Sequence, residues 1–179
     1  KAFAIKKYKS ITRTITNISY YFKSGITWSV LCSSPSFRRY DEGFIFSNGG
    51  QCIVPDDPSV DLDYLTGFLN SNVAKYILNI LSPTLGFESG YVKKLPVIWG
   101  NDDDCNRASE LSKENIRIAK CDWDQFETSW DFVKHPLVNY DTEYTSLLRD
   151  KYESWISECK DRVSIVKKNK VELNKLYMK

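Results

Sequence analysis

Not one aspartate or glutamate occurs before Asp41, although the 179 residues hold 23 acids against 25 lysines and arginines. The modest net charge of +2 therefore conceals a division. Eight cations (Lys1, Lys6, Lys7, Lys9, Arg13, Lys23, Arg38 and Arg39) fall before Asp41, whereas Asn101–Asp131 is acidic. Such asymmetry hints at a surface that faces a polyanion. Histidine is scarcer still. His135 stands alone, and the five cysteines include no Cys-x-x-Cys pair, too few close ligands for a structural zinc site. Cys32, Cys52, Cys105, Cys121 and Cys159 are odd in number and widely spaced, so free thiols are expected.

Long apolar runs are missing as well. None approaches the ~20 residues that cross a bilayer, and no apolar h-region with a cleavage site follows the opening lysines. A cytoplasmic parent protein with no membrane partner is the expectation. Met178 is the only methionine and Lys1 opens the chain, which reads as an excerpt of a longer protein.

Catalytic signatures are absent in turn. Methyl transfer needs a glycine-rich turn after a strand to hold its cofactor, and adenine-specific enzymes add an (Asn/Asp)-Pro-Pro-aromatic loop for the flipped base. There is no Pro-Pro pair, and Gly49-Gly50 lies in a hairpin turn. A P-loop, a GxSxG elbow, a His-Glu zinc helix and nuclease PD…(D/E)xK spacing are missing too. Any Ser-His or Cys-His dyad would have to use His135, whose neighbour Pro136 and nearby aromatics favour a structural histidine. No catalytic residue and no metal ligand is assigned.

What is present reads first as strands. Ile26, Trp28 and Val30 alternate with Thr27 and Ser29, the period of a half-buried strand. Gly43–Phe46 and Gln51–Val54 flank Ser47-Asn48-Gly49-Gly50, which predicts a hairpin closed by Pro55. From Asp61 the period becomes helical, with Leu62, Leu65, Leu69, Val73, Tyr76 and Ile80 on one stripe. Gly67 and Asn70-Ser71-Asn72 are candidate breaks, and Pro83 ends the helix.

Tyr91–Val97 suggests a short strand. Ala108, Leu111, Asn115 and Ile118 predict a helix, and Asp122 with Gln125 has capping-box chemistry for another short one. Trp123, Phe126, Trp130 and Phe132 read as a core seal. From Thr142 onward neither Gly nor Pro occurs, and Tyr144, Leu148, Tyr152, Trp155, Cys159, Val163, Val166, Leu173 and Tyr177 mark a long amphipathic helix. Its narrow seam calls for one neighbouring helix or a second copy.

The acid-free segment interleaves its cations with Tyr8, Tyr20, Tyr21, Phe22, Trp28, Phe37 and Tyr40. Lys and Arg neutralise phosphates, Arg pairs with guanine edges, and aromatic rings stack or wedge against bases. A solvated charged face over an aromatic core has the same composition. Arg39 paired with Asp41 or Glu42 would equally hold a hairpin.

The wording of several segments goes further. Tyr21-Phe22-Lys23-Ser24-Gly25-Ile26-Thr27-Trp28-Ser29 resembles the YFKxGITWS stretch of BREX-system adenine-specific DNA methyltransferases, the PglX family. Arg39-Tyr40, Gly43–Phe46, Gly67–Ser71, Pro83-Thr84, Lys94–Pro96, Asp122-Trp123, Ser129–Phe132 and His135–Leu137 follow in the same order as in that family. The resemblance covers nearly the whole chain and is to the region C-terminal to the methyltransferase domain.

It implies an α/β (α+β) target-recognition-like domain over 1–100, a helical and aromatic connector over 101–140 and a long helix over 141–179. It further implies that the full-length protein uses S-adenosylmethionine, held upstream, while this fragment holds no cofactor and reads double-stranded DNA. Candidate DNA-binding residues are Lys6, Lys7, Lys9, Arg13, Tyr21, Lys23, Trp28, Arg38, Arg39 and Tyr40. Partners would be DNA, the upstream methyltransferase domain and other defence-system proteins. The rival reading is a module that docks those proteins through the acidic surface and the terminal helix.

Overall fold

The computed structural model describes residues 5–7, 16–138 and 148–178. The architecture is mixed α/β, with a three-stranded antiparallel sheet, a set of helices and a long terminal one. The chain groups into two units: Lys1–Leu62 with Leu78–Leu95, and Asp63–Ile77 with Pro96–Lys179.

In the first unit β1 (Gly25–Ser29) is the middle strand, between β2 (Arg38–Tyr40) and β3 (Gly50–Ile53). Ile26 faces Arg39 on one side and Ile53 on the other. The alternation expected for Ile26, Trp28 and Val30 is observed, and all three are buried together with Phe37 and Phe87. The hairpin is a different matter. Residues 44–46 are not a strand, and β3 pairs with β1 instead. Gly43, at φ +100°, turns the chain away after β2, and the Phe44 carbonyl accepts from the Phe22 N–H at 2.9 Å. The strand expected at Tyr91–Val97 is also replaced, by a helical turn α3 (Ser89–Val92). Val92 and Leu95 are both buried, and a spacing of three puts them on one side of a turn but on opposite faces of a strand.

The expected helix from Asp61 is present and breaks at Ser71 into α1 (Leu62–Asn70) and α2 (Asn72–Leu81). Ser71 caps the second piece. Its buried hydroxyl accepts from the Ala74 N–H at 3.1 Å, the usual N-cap contact.

In the second unit α4 (Asp102–Trp123) starts at Asn101, whose side chain accepts from the Asp104 N–H at 2.9 Å. Asp102, Asp103 and Asp104 occupy its first turn, where the helix dipole favours acids. The separate helix expected at Asp122 does not form. Nothing between Ile118 and Asp122 breaks the ladder, so α4 simply runs on to Trp123.

The long terminal helix is α5 (Leu148–Leu176). It lies antiparallel to α4, as paired contacts at Arg107–Glu172, Glu114–Asn169 and Gln125–Trp155 require. Its seam differs from the apolar reading. Trp155, Cys159, Arg162, Val166, Asn169 and Leu173 face inward at steps of four and three, so Arg162 takes the place given to Val163, which is 52% exposed. Asn169 fills the gap in the apolar series by donating to Glu114 at 2.7 Å and Asn115 at 3.1 Å. Tyr177 lies in the turn just past the helix end, and Tyr144 lies outside the described residues.

Tyr64, Ala108, Leu111 and Leu173 form the core of this unit. The aromatic group after α4 does not seal it. Trp130 is 98% exposed, and Trp123 and Phe126 also face solvent. His135 is structural in its contacts: Nδ1 accepts from the Leu137 N–H at 3.2 Å, and its ring meets Phe126 and Trp155 edge-on. No helix among the described residues is long and apolar enough to cross a membrane.

Candidate nucleic-acid interface

The sheet has one core face and one open face. Ile26 and Trp28 point to the core, so Gly25, Thr27 and Ser29 lie on the other side with their partners Tyr40 and Arg38. Arg38 is exposed, and its guanidinium donates to the Ser29 hydroxyl at 2.9 Å. Arg39, one residue on, points the opposite way and folds back onto the backbone. It donates to the carbonyls of Gly25 at 3.1 Å and Tyr40 at 2.6 Å. These two hydrogen bonds run to carbonyls on β1 and β2.

Tyr40 crosses β1 at Gly25. A Cβ at Gly25 would collide with the Ile53 carbonyl and stand 2.7 Å from the Tyr40 hydroxyl, so only glycine lets the ring pass. Burial first, and the neighbouring Cys52 thiol second, push the Tyr40 phenol well above its ordinary range. Burial likewise raises the Cys52 thiol. The pair is neutral near neutral pH and leaves the positive charge of this face to arginine.

At the start of β1 the chain presents aromatic rings. Phe22 N–H donates to the Phe44 carbonyl at 2.9 Å, and Gly43 N–H donates to the Phe22 carbonyl at 3.1 Å. These two bonds set Phe22 opposite both Gly43 and Phe44, a bulge-like step beyond the last ladder pair, Gly25–Tyr40. Phe22 is 62% exposed, and Phe44 and Ile45 beside it are also exposed. Tyr21 packs edge-on against Phe46, with centroids 5.0 Å apart. Lys23 sits over the Tyr20 ring at 5.5 Å, and the Tyr20 hydroxyl donates to Asp56 at 3.1 Å.

Of the sequence candidates, Tyr21, Lys23, Arg38 and Tyr40 therefore gather on the first unit around the open face and the start of β1. Lys6 and Lys7 face solvent, and Lys9 and Arg13 lie outside the described residues. Trp28 is a correction. Only 1% exposed, it donates its indole N–H to the Phe87 carbonyl at 2.7 Å and packs on Phe37, so it belongs to the core. Phe44 and Ile45, exposed beside Phe22, stand outside the candidate set. The strand alternation begins at Ile26 and leaves Phe22 outside it.

Gly49 precedes β3 and Gly50 opens it. Among the described residues no three His, Cys, Asp or Glu side chains gather as metal ligands.

No family model matches the chain. It is 34% identical over 128 residues to an adenine-specific methyltransferase, BrxX, of Escherichia coli O9:H4 (strain HS), a match covering 70% of this chain and 10% of that protein. It is 31% identical over 165 residues to an adenine-specific methyltransferase, PglX, of Lacticaseibacillus casei (strain Zhang), covering 90% of this chain and 13% of that protein. The chain belongs to the family of BREX adenine-specific methyltransferases. It spans only about a tenth of the length of these relatives. Within the BREX methyltransferases it is thus one region among others, and the site above is a property of that region.

Proposed function

We propose that this region reads the target duplex for a BREX adenine-specific DNA methyltransferase and transfers no methyl group itself. S-adenosylmethionine would be held by the methyltransferase domain of the same full-length chain. One observation carries the reading. The open sheet face and the start of β1 present Arg38, Lys23 and exposed aromatics, in a segment with no acid before Asp41. Cations supply sequence-independent attraction to phosphates, and a guanidinium or a ring adds discrimination at the bases.

The test is an exchange. Replacing this region in one full-length BREX methyltransferase by that of a relative with a different methylation site, then sequencing methylated adenines, is expected to transfer the site. An unchanged site in an active, folded chimera would refute the reading.

A second role has its own observation. Trp123, Phe126, Trp130 and Val133, close in sequence on the second unit, are each exposed, and exposed apolar side chains in such number suit a protein partner of the defence system. Loss of complex assembly in Trp130→Ser, with DNA affinity kept, would support it.

A further inference from the structure

We infer that Phe22 is a wedge that inserts its ring at a base step of double-stranded DNA. This rests on the DNA-reading role proposed above and gives it a mechanism. Phe22 has φ +66°, in the left-handed region, where a bulky L-residue is strained by its own Cβ. A surface phenylalanine with no task would relax or be replaced by glycine or asparagine. Instead the strain is held in place by the two bonds that pin Phe22 to Gly43 and Phe44.

Strained residues that the surroundings over-determine cluster at ligand-binding positions. Here the strain aims an aromatic ring outward. Its inner neighbour is Tyr21, at right angles with centroids 6.4 Å apart, and Tyr21 is itself braced by Phe46. The result is a rigid pedestal beneath an exposed apolar tip formed by Phe22, Phe44 and Ile45. Such a tip loses little conformational freedom on binding.

The charges around the tip indicate what it meets. Lys23 follows Phe22 directly, and Arg38 lies on the open face of β2. Asp41 and Glu42, in the turn before Gly43, are exposed and repel phosphates. Attraction along the strands with repulsion at the turn directs the tip past the backbone, toward the base pairs. Apolar side chains inserted there part a base step and kink the duplex.

The full-length methyltransferase is tested with duplexes containing its mapped methylation site and a single 2-aminopurine, moved through positions away from the methylated adenine, where base flipping does not reach. The wild-type chain is expected to raise 2-aminopurine fluorescence at one step. Phe22→Gly should abolish the rise and weaken binding to that site about tenfold to hundredfold, the usual worth of a stacked base. Glycine adopts the same φ without strain, so its melting temperature should be kept or raised. Phe22→Leu, which retains an apolar wedge, should keep part of the signal.

No fluorescence rise at any step with wild-type protein, or unchanged binding in Phe22→Gly, overturns the wedge. If Arg38→Ala still flattens the salt dependence of binding in that case, the wedge alone has failed. If neither substitution changes DNA binding, the DNA-reading role fails with it. If Phe22→Gly instead loses only assembly with another protein, the tip serves that protein and the wedge is wrong.

Discussion

The indole N–H of Trp28 and the backbone carbonyl of Phe87, 59 residues apart in sequence, meet at 2.7 Å inside the first unit. Phe87 N–H in turn donates to the Val30 carbonyl at 2.8 Å, so one aromatic pair locks a returning loop onto β1. Trp28→Phe keeps the ring but orphans the carbonyl, and a stability loss of about 1–3 kcal/mol is expected. Trp28→Ala should cost about 3–5 kcal/mol through the cavity it leaves. Urea denaturation measures both. A Trp28→Phe midpoint equal to wild type would count against the hydrogen bond.

Gly67 in α1 faces the Ser112 side chain of α4 and the Tyr177 hydroxyl, and both lie where a Cβ would go. The same hydroxyl donates to the Tyr64 carbonyl at 2.9 Å. Gly67→Ala should therefore destabilise by about 1–3 kcal/mol through overpacking, against the ~1 kcal/mol that alanine normally gains in a helix. Thermal unfolding of the single variant decides. A stabilised Gly67→Ala would show that the helices yield at this point.

Gly67 and Val163 illustrate how far the sequence can be read. Periodicity locates both helices correctly, because apolar spacing reports which residues bury. The break at Ser71 was legible for the same reason, since its neighbours Asn70 and Asn72 are poor helix formers. Arg162 and Asn169 were not legible as seam residues. Each is held inward by a specific polar partner on α4 or just past its end: Arg162 donates to Gln125 at 3.4 Å and Asn169 to Glu114, and a partner 37 or 55 residues away leaves no trace in local pattern. Phe44 is in no strand because β3 pairs with β1 instead of with residues 44–46, again a long-range choice. Among the candidate interface residues, Lys6, Lys7, Lys23 and Arg38 are exposed and Trp28 is buried. Cations stay in water, whereas a ring such as Trp28 is equally at home in a core.

Lys120, Asp124, Ser129 and Asp131 form a polar cluster at the end of α4. The Ser129 hydroxyl donates to Asp124 at 2.7 Å, and Lys120 contacts Asp124 at 3.0 Å. The Ser129 bond first, then Lys120, hold the Asp124 carboxyl below its ordinary value. A depressed carboxylate contributes stability above its unfolded pKa, about 3.9, which is lost as pH falls through the lower folded value. Lys120, pushed up to about 12 chiefly by Asp131, works in the opposite sense. Its contribution is complete below about pH 10.4 and is lost as pH rises toward the folded value. Ser129→Ala should move the Asp124 titration upward, read by carboxyl carbon shifts in NMR. A titration that stays in place would mean that Lys120 alone sets it.

Arg38 and Arg39 are adjacent, yet the sheet gives them different work. Arg39 donates to two carbonyls at the β1–β2 edge, so its loss should appear first in stability, about 0.5–1.5 kcal/mol for each net hydrogen bond removed. Arg38 is exposed on the open face and its bond to the Ser29 hydroxyl at 2.9 Å orients the guanidinium without burying it. If the open face meets DNA, Arg38→Ala in the full-length chain should remove about one phosphate contact and flatten the log-log salt dependence by a slope of roughly 0.9. Affinity would then fall alike for cognate and scrambled duplexes. Should Arg38 instead reach a guanine edge, the loss of about 1–3 kcal/mol would fall on the cognate site and preference would relax at one base pair. Arg38→Lys separates these cases, because a lysine keeps the charge but not the two-pronged geometry. Fluorescence anisotropy at several salt concentrations, with both duplexes and with Arg38→Ala, Arg38→Lys and Arg39→Ala, measures all of this. Wild-type affinity, specificity and slope in Arg38→Ala would remove the open face from the DNA interface, whatever Arg39→Ala does to the fold.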